Sequence, residues 1–437
     1  MNTDTQSAAA TEETEMAQVA TKPEGVATAG EPPVVPVAQA LAEWASALTS
    51  TEDDLTLARR SLLDTVAVGI AAREHQILAV GASLGEAGRW AAACHVIDFD
   101  DLHMPSTTHI STVCVPVALA TGGGAQAYLA GAGVMARVGT ALGWKHYSAG
   151  WHATTTAGAL GAAVTAAVAK GLDADGIARA IGLAVPAAGG MQRAFGTDAK
   201  SLQIGFAADA GVRAAELAAA GATADLSAVE AWMSLVGGDP QAVNLAGPTV
   251  PDGLAIKIYP ACYALQRPIS TVTSALASSL TDPVDQASVQ RVTIRTPAAT
   301  VQPLIHHRPK DGLQGKFSLE YAVATAILDD HQGFASFSDE AVQRPEAQRL
   351  IELVEISLDD GGDWLLSGKA EVAVHTTDGV VTGELRFPPG SPQRPPTDAE
   401  LAQKVADCLD GTGLDDAAIT WEGAAGLLRR TMTGPTT

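Results

Sequence analysis

Apolar residues recur at helical spacing through the first two-thirds of the chain. Leu55, Ala58 and Leu62 follow one another at intervals of three and four positions, which predicts a helix buried along one face. A second run, residues 154–170, consists almost entirely of small apolar side chains and ends at Gly171. This pattern predicts a fully buried helix that is closed by a glycine C-cap.

After about residue 268 the spacing changes from helical to alternating. Residues 370–376 and 380–387 alternate apolar and polar side chains on either side of Asp378-Gly379, which predicts a β-hairpin with a tight turn. Further elements are predicted in the same region, with strands at 289–294 and 353–358 and a helix at 319–328.

These patterns predict a mainly α fold with a large all-helical domain and a smaller α+β domain. The predicted order is a disordered acidic tail at 1–36, the helical domain at 37–268, the α+β domain at 269–396, and C-terminal helices at 397–437 that rejoin the helical domain. Hydrophobic residues make up 47% of the chain but aromatic residues only 4%. Small side chains at this density favour closely packed helices over a β-sandwich.

The charge balance narrows the choice of partners. A formal net charge of −22 argues against nucleic acid and against an anionic membrane surface, because both require clustered basic residues. The longest apolar run, 157–169, is too short to cross a bilayer. The chain also contains four widely separated cysteines, which favours reduced thiols in a cytoplasmic protein: Cys94, Cys114, Cys262 and Cys408.

Carboxylates and imidazoles are concentrated in the segment 98–109. Asp98, His103 and His109 could supply general acids, general bases or anchoring groups, although a capped helix start followed by a solvated loop would explain the segment equally well. Asp and His are also metal ligands. However, the spacing lacks the HExxH pattern of a metal-binding helix, so we expect no metal here.

Other candidate groups stand in loops beside helices. His152 precedes the helix at 154–170, where the positive end of the helix dipole favours its neutral form. Lys200, Lys257 and Arg267 are cations in a strongly acidic chain, and together they could form a pocket for an anionic substrate. Tyr321 lies on the helix of the α+β region. Taken singly, each of these side chains also fits an ordinary role in the core or on the surface.

The ordered set of these segments resembles the MmgE/PrpD family. The matching stretches run from about residue 40 to 405: IDFDDLH with TTHIS, GWHATTTAGALGAA, GTDAKSLQIGFAADAG, IKIYPACYALQRPI, GLQGKFSLEYAVATAILD and GSPQRPPTDAELAQK. The resemblance implies a homodimer without organic cofactor or iron–sulfur cluster. It also implies that the α+β domain is a lid domain. The active site would lie between this lid and the helical domain, and would act on a small anionic polycarboxylate.

The resemblance also implies which residues form the site. The catalytic positions are Asp98, His109, His152, Lys200, Lys257 and Tyr321, and the expected substrate-binding positions are His103, Gln203, Gln266 and Arg267. Gln203 and Gln266 stand where related sequences usually carry histidine. Because an amide cannot shuttle protons at neutral pH, these two departures leave the exact substrate open.

The family includes 2-methylcitrate dehydratase, cis-aconitate decarboxylase and iminodisuccinate epimerase. We therefore expect proton abstraction next to a carboxylate, by His152 or Asp98, with the lysines stabilising the anion that forms. His109 or Tyr321 would be the second acid. Dehydration of a 2-methylcitrate-like acid is the favoured reaction, with epimerisation or decarboxylation as alternatives. A polycarboxylate-binding protein without turnover is the alternative of another class.

Overall fold

Helices supply most of the secondary structure in the computed structural model, which describes residues 35–278, 285–360 and 367–433. The tail predicted at 1–36 lies outside these ranges except for its last two residues. The helices before residue 240 are α1 (Val37–Ser46), α2 (Glu52–Ala71), α3 (Ile77–Val80), α4 (Glu86–Val96), α5 (Ser111–Thr121), α6 (Gly124–Ser148), α7 (Ala153–Ala169), α8 (Ala174–Ala184), α9 (Asp198–Ala219) and α10 (Ala228–Leu235).

The later part of the chain mixes helices with strands. Its helices are α11 (Tyr263–Ala277), α12 (Ala298–Val301), α13 (Gly312–Gly315), α14 (Leu319–Leu328), α15 (Asp339–Val342), α16 (Pro345–Leu353), α17 (Asp398–Leu409) and α18 (Ala424–Thr431). Its strands are β1 (Val289–Pro297), β2 (Val354–Asp359), β3 (Ala370–Thr376) and β4 (Gly379–Leu385). The mainly α fold with a smaller α+β region is therefore confirmed.

Small residues allow the central helices α6, α7 and α9 to approach closely. A Cβ added to Gly131 of α6 would lie 1.8 Å from Thr165 Oγ1 of α7. One added to Gly211 of α9 would lie 2.5 Å from the backbone nitrogen of Ala163. Real side chains cannot approach this closely, so glycine at these positions is required by the packing. The buried helix predicted at 154–170 is confirmed as α7.

Local capping signals set the helix starts. Thr51 and Asp54 form a capping box at α2, and Thr397 and Glu400 form another at α17. Asp173 caps α8 by accepting a hydrogen bond from Gly176 N–H. These side chains satisfy backbone N–H groups that have no partner within the helix.

The predicted hairpin is also confirmed. Strands β3 and β4 pair antiparallel, with Thr376 opposite Gly379. The sheet order is β2-β1-β3-β4, in which β1 is parallel to β2 and antiparallel to β3. Helix α11 packs on β3 and β4, so one face of this mixed sheet is covered.

Two main apolar cores organise the region from Pro36 onward. The first contains side chains of α1–α10 together with Leu401 and Leu427 of α17 and α18. The second contains side chains of the sheet, α14, α16 and α11. The predicted boundary between residues 268 and 269 falls inside α11, whose Ala264 and Leu265 already belong to the second core.

Candidate active site

The loop between α4 and α5 supplies most of the acidic groups of the site. Asp98 follows the end of α4 with a φ of 60°, a left-handed conformation that Asp adopts more readily than most residues. This turn places three aspartates, Asp98, Asp100 and Asp101, within a few residues, and all three are buried. A buried carboxylate requires charged or hydrogen-bonding partners.

Asp98 has two ammonium partners from distant parts of the chain. Its Oδ1 lies 3.0 Å from Lys200 Nζ and 3.4 Å from Lys257 Nζ. Lys257 also donates to the Asp98 carbonyl oxygen at 2.8 Å and is only 1% exposed. Burial opposes ionisation of Asp98, but the two ammonium groups outweigh it and hold its pKa below the usual value. The predicted proximity of these three residues is therefore present in the structure.

A third lysine, Lys316, lies beside this group. Its Nζ donates to the Ile97 carbonyl oxygen at 2.8 Å. Burial, opposed by Asp98 and reinforced by Lys257 and Lys200, lowers the pKa of Lys316 to about 8. Our sequence interpretation did not include this residue. The signal was present, since Lys316 is one of few lysines and stands in the GLQGKFSLEY segment.

Asp100 joins two histidines. Its Oδ2 lies 2.7 Å from His95 Nδ1 and 3.2 Å from His109 Nδ1. Burial again opposes ionisation, but His109 and His95 together hold the Asp100 pKa well below its usual range. The Asp100 carboxylate therefore accepts from both rings.

His95 was missed by sequence reasoning, although it lies only three residues before Asp98. Burial lowers its pKa to about 4 despite the nearby Asp100, so the ring is neutral at neutral pH. Its Nε2 is buried and has no hydrogen-bond partner among the described residues. The His95 ring lies between those of His109, at 4.9 Å, and His152, at 6.0 Å. A lone histidine that follows the apolar run Trp90–Cys94 of α4 was the available signal.

His152 is the N-cap of α7, as the sequence predicts. Burial, followed by the nearby His95 and Lys200, holds its pKa well below the usual value. Gln203 of α9 reaches the ring, with Nε2 2.7 Å from His152 Nδ1. Phe195 packs edge-on against the imidazole at 4.9 Å. The histidine is therefore held neutral and in one orientation.

Four other predicted site residues engage partners outside this group. Tyr321 donates from its hydroxyl to the Ser336 carbonyl oxygen at 2.5 Å, within the second core. The two ring nitrogens of His103 lie 2.7 Å from Ser106 Oγ and 2.7 Å from the Pro251 carbonyl oxygen.

The remaining two of these four residues, Gln266 and Arg267, lie in the first two turns of α11. Gln266 accepts from the backbone N–H groups of Ile258 and Tyr259 and thereby shapes the loop that carries Lys257. Arg267 donates to the carbonyl oxygens of Ser367 and Gly368 and to Thr300 Oγ1. These contacts account for the burial of both side chains.

The capacity of this site to hold a metal ion depends on the charges around its potential ligands. His95, Asp100 and His109 each place one potential ligand atom within 4.8 Å of the others. In the structure both imidazole Nδ1 atoms lie within hydrogen-bonding distance of Asp100, and Lys257 Nζ lies 3.9 Å from the same carboxylate. An ammonium this close repels a cation, so the arrangement favours an anionic ligand.

Two protein-family models match the chain. The MmgE/PrpD N-terminal domain model matches residues 86–236, and the MmgE/PrpD C-terminal domain model matches residues 259–422. No curated protein sequence matches the chain. In the described parts of the chain, none of the helices combines the length and apolarity needed to cross a bilayer.

Proposed function

The chain belongs to the MmgE/PrpD family, and from this premise we propose that it is a lyase that removes a proton next to a carboxylate of a small polycarboxylic acid. The favoured reaction is dehydration of a 2-methylcitrate-like hydroxy acid. The observation that carries the proposal is the meeting of Lys200 and Lys257 on Asp98 beside neutral histidines. Ammonium groups at this position would bind substrate carboxylates and stabilise an enediolate-like anion.

His109 is the base that we propose. Its Nδ1 lies 2.5 Å from the Asp101 carbonyl oxygen and 3.2 Å from Asp100 Oδ2. Both oxygens accept, so Nδ1 carries a proton, and in the neutral form of the ring Nε2 has the lone pair that a base requires. Asp98 is a weak alternative, because its lysine partners stabilise the charged form and thereby reduce its affinity for a proton.

The proposed dehydration proceeds in two balanced steps. His109 Nε2 takes the proton from the carbon next to a carboxylate, and the electron pair of that C–H bond passes into the carboxylate as an enediolate. The pair then returns to form the carbon–carbon double bond while the neighbouring C–O bond breaks. The departing hydroxyl takes a proton from an ammonium group and leaves as water. Lys316 suits this task, since its pKa of about 8 is close to neutrality.

Deuterium exchange tests the proposed chemistry. The full-length protein is incubated in deuterated buffer with 2-methylcitrate, iminodisuccinate and cis-aconitate in separate samples, and each is followed by NMR. Dehydration replaces the signals of two saturated carbons with those of an alkene, epimerisation exchanges the proton and yields the second stereoisomer, and decarboxylation releases carbon dioxide. Binding without exchange or turnover of any acid would contradict the proposal and favour the binding protein.

A histidine variant tests the assignment of the base. His109→Gln is expected to lower the exchange rate about 100- to 10,000-fold, because general base catalysis is lost. Lys170→Gln is the matched control, since Lys170 is a partly exposed residue at the end of α7. Equal rates in the two variants would remove His109 from the chemistry.

Assembly and location are further proposals from the family. We propose a homodimer, which light scattering of the purified protein would test. We also propose a cytoplasmic location, which is supported by four free cysteines. Cys94, Cys114 and Cys408 are buried, and Cys262 is partly buried.

A further inference from the structure

The amide of Gln203 has its orientation fixed by the backbone of Met191. The Met191 N–H donates to Gln203 Oε1 at 2.9 Å, and the Met191 carbonyl oxygen accepts from Gln203 Nε2 at 3.3 Å. A backbone N–H can only donate and a carbonyl can only accept. Exchanging the amide oxygen and nitrogen would therefore oppose both contacts, which leaves one assignment of the two atoms.

This assignment determines the tautomer of His152. The group that faces His152 Nδ1 at 2.7 Å is the amide nitrogen Nε2 of Gln203, which can only donate. Nδ1 must therefore accept, and in a neutral imidazole the proton then resides on Nε2. His152 is neutral because burial disfavours the imidazolium.

The surrounding backbone holds this arrangement in place. The backbone N–H of His152 donates to the Gly190 carbonyl oxygen at 3.1 Å, and Trp151 and Met191 form an antiparallel bridge. Gly190 has a φ of 127°, and a Cβ there would lie 1.8 Å from Thr155 Oγ1. The segment that orients Gln203 is thus packed directly on the start of α7.

We propose that Gln203 is a positioning residue that holds His152 as an Nε2–H hydrogen-bond donor, so that His152 stabilises the oxygen on which negative charge develops and is not the base. A neutral imidazole at a helix N-terminus can polarise a carbonyl or carboxylate in this way. The assignment replaces two sequence expectations, namely that Gln203 binds substrate and that His152 abstracts the proton. It complements the proposed role of His109, which acts as a base through the Nε2 lone pair of its neutral ring.

Nitrogen NMR of the histidines tests the tautomer without any substrate. The full-length protein is labelled with ¹⁵N-histidine, and the His152 signals are assigned by their loss in His152→Asn. We expect a neutral ring with its proton on Nε2 at neutral pH. A proton on Nδ1, or on both nitrogens, would overturn the proposal whether or not the chain proves to be a lyase.

Two variants of Gln203 extend this test. In Gln203→Glu the oxygen facing Nδ1 can only accept, so the proton is expected to move to Nδ1 or the ring to become doubly protonated. Gln203→Met removes the donor without adding charge. Gln126→Glu, which changes an exposed amide bonded to Leu48 and Ser50, is the control and should leave the His152 spectrum unchanged. An unchanged His152 spectrum in Gln203→Glu would contradict the proposal.

The kinetic part of the test rests on the proposed function. With the acid that the wild type turns over, Gln203→Met should lower kcat about 100-fold, as loss of a donor to a developing oxyanion does. KM should stay within about threefold. A raised KM with unchanged kcat would show that Gln203 binds substrate and would overturn the positioning role. If the wild type turns over no acid, the proposed function fails while the NMR result still decides the tautomer.

Discussion

Two buried lysine–aspartate pairs in this protein use the same residue types in different ways. Lys257 and Asp98 meet in a group that also contains Lys200, which is 15% exposed in its side chain. Lys404 and Asp64 meet in a separate pair, with side chains 1% and 0% exposed. Lys404 also donates to the Phe99 carbonyl oxygen and lies 4.0 Å above the Phe99 ring. The first group is partly exposed to solvent through Lys200, whereas the second ties α17 to α2.

The number of neighbouring ammonium groups determines whether the pKa of a buried aspartate is lowered or raised. With two ammonium groups, Asp98 has a lowered pKa. With Lys404 as its main counter-charge, Asp64 has a raised pKa because burial dominates. Asp101, whose carboxylate accepts from Ser111 N–H at 3.2 Å, has its pKa raised by burial to about 7. One buried counter-ion is thus too little to offset desolvation here, while two are enough.

The largest expected effect comes from breaking the buried pair of Lys404 and Asp64. Lys404→Met leaves Asp64 buried without its partner and should lower the free energy of unfolding by about 3–5 kcal/mol. Urea denaturation measures this loss. The double variant Asp64→Leu/Lys404→Met should recover much of it, because no buried charge remains. Equal loss in the single and double variants would show that packing of the Lys404 stem, not charge, stabilises the pair.

Breaking the pair of Lys257 and Asp98 should affect catalysis more than folding. Lys257→Met is expected to lower turnover about 100- to 1,000-fold, because one group that stabilises developing negative charge is removed. Lys200 still partners Asp98 and limits the loss of stability. Turnover and thermal unfolding are measured together, with Lys170→Met as the control. Full activity in Lys257→Met would place the lysine outside the chemistry.

The third aspartate, Asp101, extends the comparison to the pH dependence of stability. Because the Asp101 pKa is raised to about 7, the folded protein keeps a proton there that the unfolded chain releases near pH 4. The stability contributed by Asp101 is therefore fully present below pH 4 and is lost as pH rises through 7. Asp101→Asn should abolish this decrease in the free energy of unfolding with rising pH, which is roughly 2–4 kcal/mol in the wild type. Parallel stability–pH curves for wild type and variant would contradict the assignment.

The smallest expected effect concerns Tyr321, a polar group of the second core. Tyr321→Phe removes the hydrogen bond to Ser336 and should cost about 1 kcal/mol of stability. Turnover should change less than about threefold, since the hydroxyl is already engaged away from Asp98. A turnover loss above about 100-fold would restore the catalytic role that the sequence predicts for this residue.

The sequence singled out charged side chains that stand out from Ala-rich surroundings, whether in a loop or at the start of a helix. Asp98, Lys200 and Lys257 were named for this reason, and the structure places the three together. His95 and Lys316 were passed over, since one follows an apolar run of α4 and the other precedes a helix that is prominent for its tyrosine. Gln203 was read as a substrate contact, although its partner is His152.

By itself the sequence determined the helices, their caps, the hairpin and the family, because spacing, capping and turn signals act between residues close together in the chain. Only the tertiary structure decided the protonation of the site. The pKa of Asp98 depends on lysines 102 and 159 positions away, and the tautomer of His152 depends on an amide that the backbone of another segment orients. Charge and hydrogen bonding act through space over a few ångströms, so they are defined only once the chain has folded.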